Sequence, residues 1–435
     1  MRYRLFAAGN RVMPLFAFAV ALWVVAHTTG YDQALLTALR PLGGFGGPSD
    51  LLQDLVGARA LRHGGDLYPP LGPAIAALGV DWPLTHRSTH PPSAFLFLLP
   101  LADLSWPVVA KVWAIGMLLV LGGAWWAFRP ATRWWLVAPL LLLWPPILSA
   151  LGQFTPVWLL GLSLAWHWRQ RAFVAGVCIG LASLPKFLPA VALLPYVRAR
   201  RWEALAGFGA VWLGAFAVLI ALDPAAPVAY LLAQRVTSLE QAARDDNGAM
   251  LAVAFHTFGQ FGGIVGVVFL AVVVICAWQR PFDDAGGWAL WCWLTVALLP
   301  IAWVYSLVPL LPGLLRAVRG GNGVVRTLAI MGMAAPWIGA MAGSAPASVA
   351  LAIGLSGGAL ILDTRHLLMP KQAAAILGVN HRTVRGYVQR GLLPVAERIN
   401  ARLIRVARAD VDRLKANPPR PGPIPTNPPA RTAPD

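Results

Sequence analysis

The sequence predicts an all-α polytopic membrane protein of about 10–12 transmembrane helices, followed by a small C-terminal winged helix-turn-helix domain. Three observations carry this. Of the 435 residues, 58% are hydrophobic and only 12% charged, whereas an ordinary soluble domain carries about 25% charged residues. Apolar runs recur along the chain at 12–28, 108–128, 134–150, 154–168, 204–222, 261–278, 287–315, 325–342 and 346–362. From Asp363 onward the texture changes to densely charged, helically patterned sequence.

The first run follows Arg2, Arg4 and Arg11, with no small-residue cleavage site after it. It reads as a permanent first span whose start is held in the cytoplasm by those cations, which leaves 31–92 outside. Trp125, Trp126, Trp134 and Trp135 flank Arg129 and Arg133, the arrangement expected at a membrane–water interface. The stretch 172–196 is basic at both ends and interrupted by Leu184-Pro185-Lys186. A single span cannot place both ends on one side, so a broken, re-entrant pair of helices is expected, of the kind that lines cavities. A second hydrophilic loop is expected over 223–248, with Arg235, Glu240, Arg244, Asp245 and Asp246. Cys178, Cys276 and Cys292 lie in apolar runs and suggest neither disulfides nor a metal site. The net charge of +17 fits cytoplasmic Lys/Arg bias and a basic tail. Both termini are expected in the cytoplasm of a multi-pass plasma-membrane protein, and the span count is then even.

Chemistry is expected in the first outer loop. Asp50 heads the stretch Leu51–Arg62, and Arg59, Arg62, His63, Tyr68 and His90 follow. A carboxylate at the membrane surface suits a general base for a hydroxyl acceptor, and nearby cations or imidazoles suit a phosphate. The plainer reading of Asp50 is a helix N-cap. Lys186, in the middle of an apolar stretch, is costly unless it meets a cavity, a partner or an interface. Its alternatives are a carrier phosphate or snorkelling to the membrane surface.

Asp50-Leu51, Gly65-Asp66-Leu67-Tyr68 and His90-Pro91-Pro92, in that order and spacing, resemble glycosyltransferase family 87, the polyprenyl-phosphate-mannose-dependent mannosyltransferases of the GT-C class. Residues 152–202 are similar too, with Gly152-Gln153, Ala175-Gly176, Lys186-x-x-Pro189 and the cluster Arg198, Arg200, Arg201. The resemblance spans roughly 10–320 and implies a GT-C-like body over 1–365 with Asp50 as the base. Many members carry a late Ser-Trp-x-His-His element; here Ala302-Trp303-Val304-Tyr305-Ser306 stands in its place. Tyr305 therefore joins the substrate-binding candidates. His256 is a possible substitute imidazole, with a structural role as the plainer reading.

Residues 366–416 form the predicted tail domain, and the Pro-rich 417–435 is expected to be disordered. Between Asp363 and Lys415 there are 11 Lys/Arg against 4 Asp/Glu, a net +7. Pro370 suits a helix start. Lys371–Leu377 reads as a first helix, Gly378-Val379-Asn380 as a turn, and 381–390 as a second helix stopped by Gly391. A two-stranded wing and a closing helix follow. The core set is Ala374, Leu377, Val384, Val388, Leu392, Ile404, Val411 and Leu414. This arrangement resembles the MerR/excisionase helix-turn-helix class. The resemblance implies DNA contacts from His381, Arg382, Thr383 and Arg385, with Arg398 and Arg402 on the wing. The alternative is a cytoplasmic protein-contact module.

Together these features point to a glycosyltransferase that moves a hexose, mannose by resemblance, from a polyprenyl phosphate to an extracytoplasmic lipid or glycan acceptor. No cofactor is implied beyond the lipid-linked donor and no metal-ligand set is read, while a part for a divalent cation is left open. The rivals are a transporter or flippase for a lipid-linked substrate, and a membrane-tethered DNA-binding regulator with an inactive transferase body.

Overall fold

The computed structural model describes residues 50–418 apart from 82–85, 129–143, 243–246, 281–284, 301, 321–322, 343–344, 364–366 and 399–403. The predicted first span with Arg2, Arg4 and Arg11 lies outside the described residues, as do Arg129, Arg133, Trp134, Trp135, Arg244, Asp245, Asp246, Arg402 and most of the Pro-rich tail. The chain divides into two compact units, 1–363 and 364–435.

Among its described residues the first unit is built of helices joined by turns and irregular segments, with no strand. Three helices there are long and apolar enough to cross a bilayer: Trp106–Ala127, Glu203–Leu222 and Met250–Gln279. Shorter apolar helices accompany them, including Ala172–Ser183 and Leu188–Arg198. The third long helix is broken at Gly259, whose φ of 60° is a left-handed conformation that glycine adopts without a Cβ penalty.

The interruption expected near Lys186 is present. Helix Ala172–Ser183 stops, and a 3-10 turn, Leu188–Leu193, leads into the short helix Leu194–Arg198. Pro185 and Pro189 lack the N–H groups that would continue the ladder. The carbonyl of Leu184 at the break accepts instead from the Ser93 hydroxyl at 2.6 Å. A buried backbone group that has lost its helical partner is thereby satisfied.

The segment 223–248 is a correction. It is not a loop: Ala226–Ala242 is a 17-residue helix. Asp223 opens it, accepting the Ala225 N–H at 2.9 Å. Ala226, Ala233 and Thr237 are buried at helical spacing, while Val228, Leu231 and Leu232 are exposed. The polar residues masked a helical period of small buried side chains.

Glycines allow the closest helix approaches. A Cβ on Gly176 would collide with the backbone carbonyl of Ala204, and one on Gly207 with that of Phe173. Helices Ala172–Ser183 and Glu203–Leu222 thus touch backbone to backbone, through small residues as membrane helices commonly do.

The second unit has its own core of Leu368, Ala373, Ala374, Val384, Leu393, Val406 and Val411. Helix Pro370–Leu377 ends at Gly378, with φ 70°. Helix His381–Gln389 is capped by Asn380, whose side chain accepts the Arg382 N–H at 2.9 Å. The wing has a third strand that periodicity missed. Strands β1 (Leu367–Leu368), β2 (Val395–Arg398) and β3 (Ile404–Ala407) form an antiparallel sheet in the order β1-β3-β2. Two core assignments shift. Leu393 is buried and Leu392 exposed, because Gly391 at φ 69° redirects the chain. Val406, paired with Leu368 and Val395, takes the inner position rather than Ile404.

Gly176→Val is expected to drive a branched side chain into a backbone carbonyl that cannot retreat. Loss of a monodisperse peak in detergent gel filtration, with at least a several-degree fall in unfolding temperature, checks this. Gly116→Ala, where the added Cβ meets open space, is expected to be neutral.

Candidate active site

The site is built outward from the helix Leu51–His63. Asp50 occupies its N-cap position, yet the side chain makes no capping bond. Its Oδ2 accepts instead from the Tyr305 hydroxyl at 2.7 Å. The carboxylate thus turns away from its own helix toward a residue 255 positions later. Tyr305 is held in turn by a clamp between two segments. Asn247 donates to the Pro300 carbonyl at 2.8 Å and accepts the Ala302 N–H at 3.1 Å, and the Gly248 N–H donates to the Ala302 carbonyl at 2.9 Å.

One turn further along the helix are Gln53 and Asp54, at the i+3 and i+4 positions from Asp50, where a helix brings side chains to a common face. Asp54 is 1% exposed and His90 2% exposed. His90 Nδ1 lies 2.8 Å from Asp54 Oδ1 and 3.0 Å from Oδ2, so its N–H donates to the carboxylate. Burial pushes the Asp54 carboxyl above the usual carboxylate range, against the pull of His90; Asp50 adds to the rise and Lys186 opposes it.

The His90 backbone is fixed from several sides. The Tyr68 hydroxyl donates to its carbonyl at 3.1 Å, and its N–H donates to Ser88 Oγ at 3.2 Å. Tyr68 is held by Asp66, which accepts the Tyr68 N–H at 2.9 Å and pairs with Arg87. The Gly-Asp-Leu-Tyr element is therefore a brace for the His-Pro-Pro turn. Tyr68 itself packs against Phe95 and Tyr230.

These elements enclose a cavity of about 900 Å³. Its lining combines the polar side chains Asp50, Gln53, His90, Lys186 and Tyr305 with the apolar Phe187, Trp212, Phe216, Leu219, Pro227 and Leu231, of which Phe187, Trp212 and Phe216 pack ring to ring. Phe187, Phe216 and Leu231 are themselves exposed. The Lys186 ammonium lies 5.7 Å from the Tyr305 ring centroid and 6.0 Å from that of Trp158. It feels the charges of Asp50 and Asp54, but forms no ion pair within 4 Å among the described residues.

Of the candidates read from sequence, Asp50, His90, Lys186 and Tyr305 line this cavity. Arg59, Arg62 and His63 do not. Arg59 donates to the carbonyls of Ala102 and Leu104, both at 2.8 Å, while Arg62 and His63 each reach Asp103 at 2.7 Å. They anchor the far part of the helix, roughly 13–20 Å of helical rise from Asp50. His256 is exposed, its ring beside Phe255. Asp54 and Gln53 were missed. The signal was present as i+3 and i+4 spacing from Asp50 in a sequence already read as helical.

In the tail, Arg382, Thr383 and Arg385 are exposed and His381 half-buried at the start of the second helix, and Arg398 lies on β2.

Residues 89–300 match the family model of Glycosyltransferase family 87, and the membrane body is a glycosyltransferase. The match takes in His90 and Lys186; Asp50 and Tyr305 lie beyond it. Residues 367–417 match the family model Helix-turn-helix domain. A similar protein is the polyprenol-phosphate-mannose-dependent alpha-(1-2)-phosphatidylinositol pentamannoside mannosyltransferase of Mycolicibacterium smegmatis (strain ATCC 700084 / mc(2)155). It is 29% identical over 313 residues, covering 65% of this chain and 74% of that protein. No solved structure matches the chain.

Asp54→Ala is expected to destabilise the protein by about 3–5 kcal/mol, because it strands His90 in a buried site. Asp54→Leu combined with His90→Leu removes both partners and is expected to recover much of that loss. Chemical denaturation in detergent compares the two.

Proposed function

We propose that the protein transfers a hexose, mannose by the similarity above, from a polyprenyl phosphate to a hydroxyl acceptor on the extracytoplasmic side, with Asp50 as general base. The observation that carries this reading is that Asp50 lines one cavity together with Gln53, His90 and Lys186 and with the apolar side chains Phe187, Trp212, Phe216 and Leu231. Such a cavity suits a substrate that is a sugar phosphate at one end and an isoprenoid at the other.

In this mechanism Asp50 takes the proton of the acceptor hydroxyl. The acceptor oxygen forms a bond to the hexose C1 as the bond from C1 to the phosphate oxygen breaks. The polyprenyl phosphate leaves with the electron pair. Tyr305 occupies Asp50 Oδ2 and leaves Oδ1 to receive the proton. Lys186 meets the charge gathering on the departing phosphate, as a cation already held in the cavity lining. The base must lie within hydrogen-bond reach of its proton, and the bond from Tyr305 restricts where the carboxylate can point. With both chain termini in the cytoplasm, as the Lys/Arg bias of the sequence suggests, Asp50 would act on the outer side.

The tail supports a second, separate activity. Exposed Arg382, Thr383 and Arg385 at the start of the capped second helix suit entry into a DNA major groove, while a contact with a cytoplasmic protein would use the same surface.

Asp50→Asn keeps the side chain's size and its bond from Tyr305 but cannot take a proton. Membranes supplied with polyprenyl-phosphate mannose are expected to show transfer by the wild type and a fall of at least about 10²-fold in the variant, at equal protein level. Undiminished transfer in the variant removes the assignment.

For the tail, the unit 364–418 is expected to bind duplex DNA with an affinity that falls steeply as salt rises, through counterion release. Arg382→Ala or Arg385→Ala is expected to cost about 1–3 kcal/mol at a specific site. Salt-insensitive or absent DNA binding at low ionic strength favours the protein-contact role.

A further inference from the structure

Gln53 plays no part in the proton transfer, yet its placement calls for a ligand. It lines the cavity one helical turn beyond Asp50. The residue is 6% exposed, and its Oε1 is buried with no hydrogen-bond partner among the described residues. A buried amide oxygen without a donor is unfavourable, and native proteins retain few of them. Its neighbours on the same helix face, Asp50 and Asp54, are both engaged, by Tyr305 and His90.

The chemistry of the missing partner follows from the atom. An amide oxygen only accepts. An isoprenoid tail cannot satisfy it, nor can an ionised phosphate diester, whose oxygens also only accept. A hydroxyl in the cavity can once the amide turns its closed-off oxygen toward it, and the amide N–H₂ can donate to a second hydroxyl on the adjacent carbon. Side chains at i and i+3 on a helix stand about 5–6 Å apart, a separation that matches hydroxyls across one pyranose ring.

We propose that Gln53 is a sugar-reading residue, binding a hexose hydroxyl beside the hydroxyl or carbon at which Asp50 acts. This rests on the transferase reading above and adds to it the residue that distinguishes a sugar from a bare lipid phosphate. The hydroxyl belongs either to the donor hexose or to the acceptor, and the test separates the two.

The experiment uses the purified full-length protein in detergent, with farnesyl phosphate, farnesyl phosphoryl mannose and methyl α-mannoside as probes. Binding and unfolding temperature are measured for the wild type, Gln53→Met and Gln53→Leu. The wild type is expected to hold the sugar-bearing probe that uses Gln53 roughly tenfold more tightly than either variant, about the worth of one hydrogen bond to a well-placed group. Farnesyl phosphate affinity is expected to stay equal in all three proteins. The unfolding temperature is expected to hold or rise in both variants, since an unsatisfied polar group is removed. Loss confined to farnesyl phosphoryl mannose assigns Gln53 to the donor; loss confined to methyl mannoside assigns it to the acceptor. Deoxy analogues lacking one hydroxyl are expected to reproduce the loss on the wild type at a single ring position. Full retention of sugar binding by both variants overturns the proposal, as does a fall in farnesyl phosphate binding or stability that matches the sugar loss. A wild type that binds none of the three probes overturns the transferase reading itself.

Discussion

Asp54 and His90 are each almost wholly removed from water and bound to one another, and the cavity is arranged around that pair. Either group alone would be expensive in such a place; together each supplies the charge or hydrogen bond that the other lacks. The pair joins the helix Leu51–His63 to the His-Pro-Pro turn across 36 residues of chain. From that turn the constraints spread outward. Tyr68 holds the His90 carbonyl, Ser93 satisfies the open carbonyl of Leu184, and Gln234 donates to the Ser88 carbonyl at 3.3 Å. Helix direction, loop brace and helix break are therefore positioned by one short segment.

The break at Lys186 depends on the same logic. Two prolines and a lysine in an apolar stretch would be unfavourable as a continuous lipid-facing helix. Packed beside the cavity, the freed backbone finds Ser93, and the ammonium finds aromatic faces and the field of two carboxylates. The close approach at Gly176 and Gly207 holds the helix leading into this break against Glu203–Leu222, which contributes Trp212 and Phe216 to the cavity lining. Small residues far from the chemistry thus set where the lysine sits.

Tyr305 shows that a position whose motif is altered can still reach the site. Where the family resemblance leads one to expect imidazoles, a phenol donates to Asp50. A phenol keeps a donor in place near neutral pH, whereas an imidazole changes charge there. In the tail, by contrast, local rules were nearly sufficient. Asn380 caps, Gly378 and Gly391 turn, and Val384 is buried where the helical period puts it.

The sequence by itself determined the helical membrane class, the interruption at Leu184-Pro185-Lys186, and the helix-turn-helix with its caps. These follow from hydrophobic period, proline geometry and glycine conformation, all properties of residues close in the chain. It also singled out Asp50, but left open whether that side chain capped its helix or faced a cavity. Tertiary structure decided this, through a hydrogen bond to Tyr305 from 255 residues away. It decided too that Arg59, Arg62 and His63 brace the helix end at Asp103 and its neighbouring carbonyls, and that Gln53 and Asp54 share the face of Asp50. The polar residues of 223–248 concealed a helix, whose buried residues Ala226, Ala233 and Thr237 are spaced by seven and four. Short-range physics specifies which elements form; which side chain meets which is settled by packing between segments that the linear order keeps far apart.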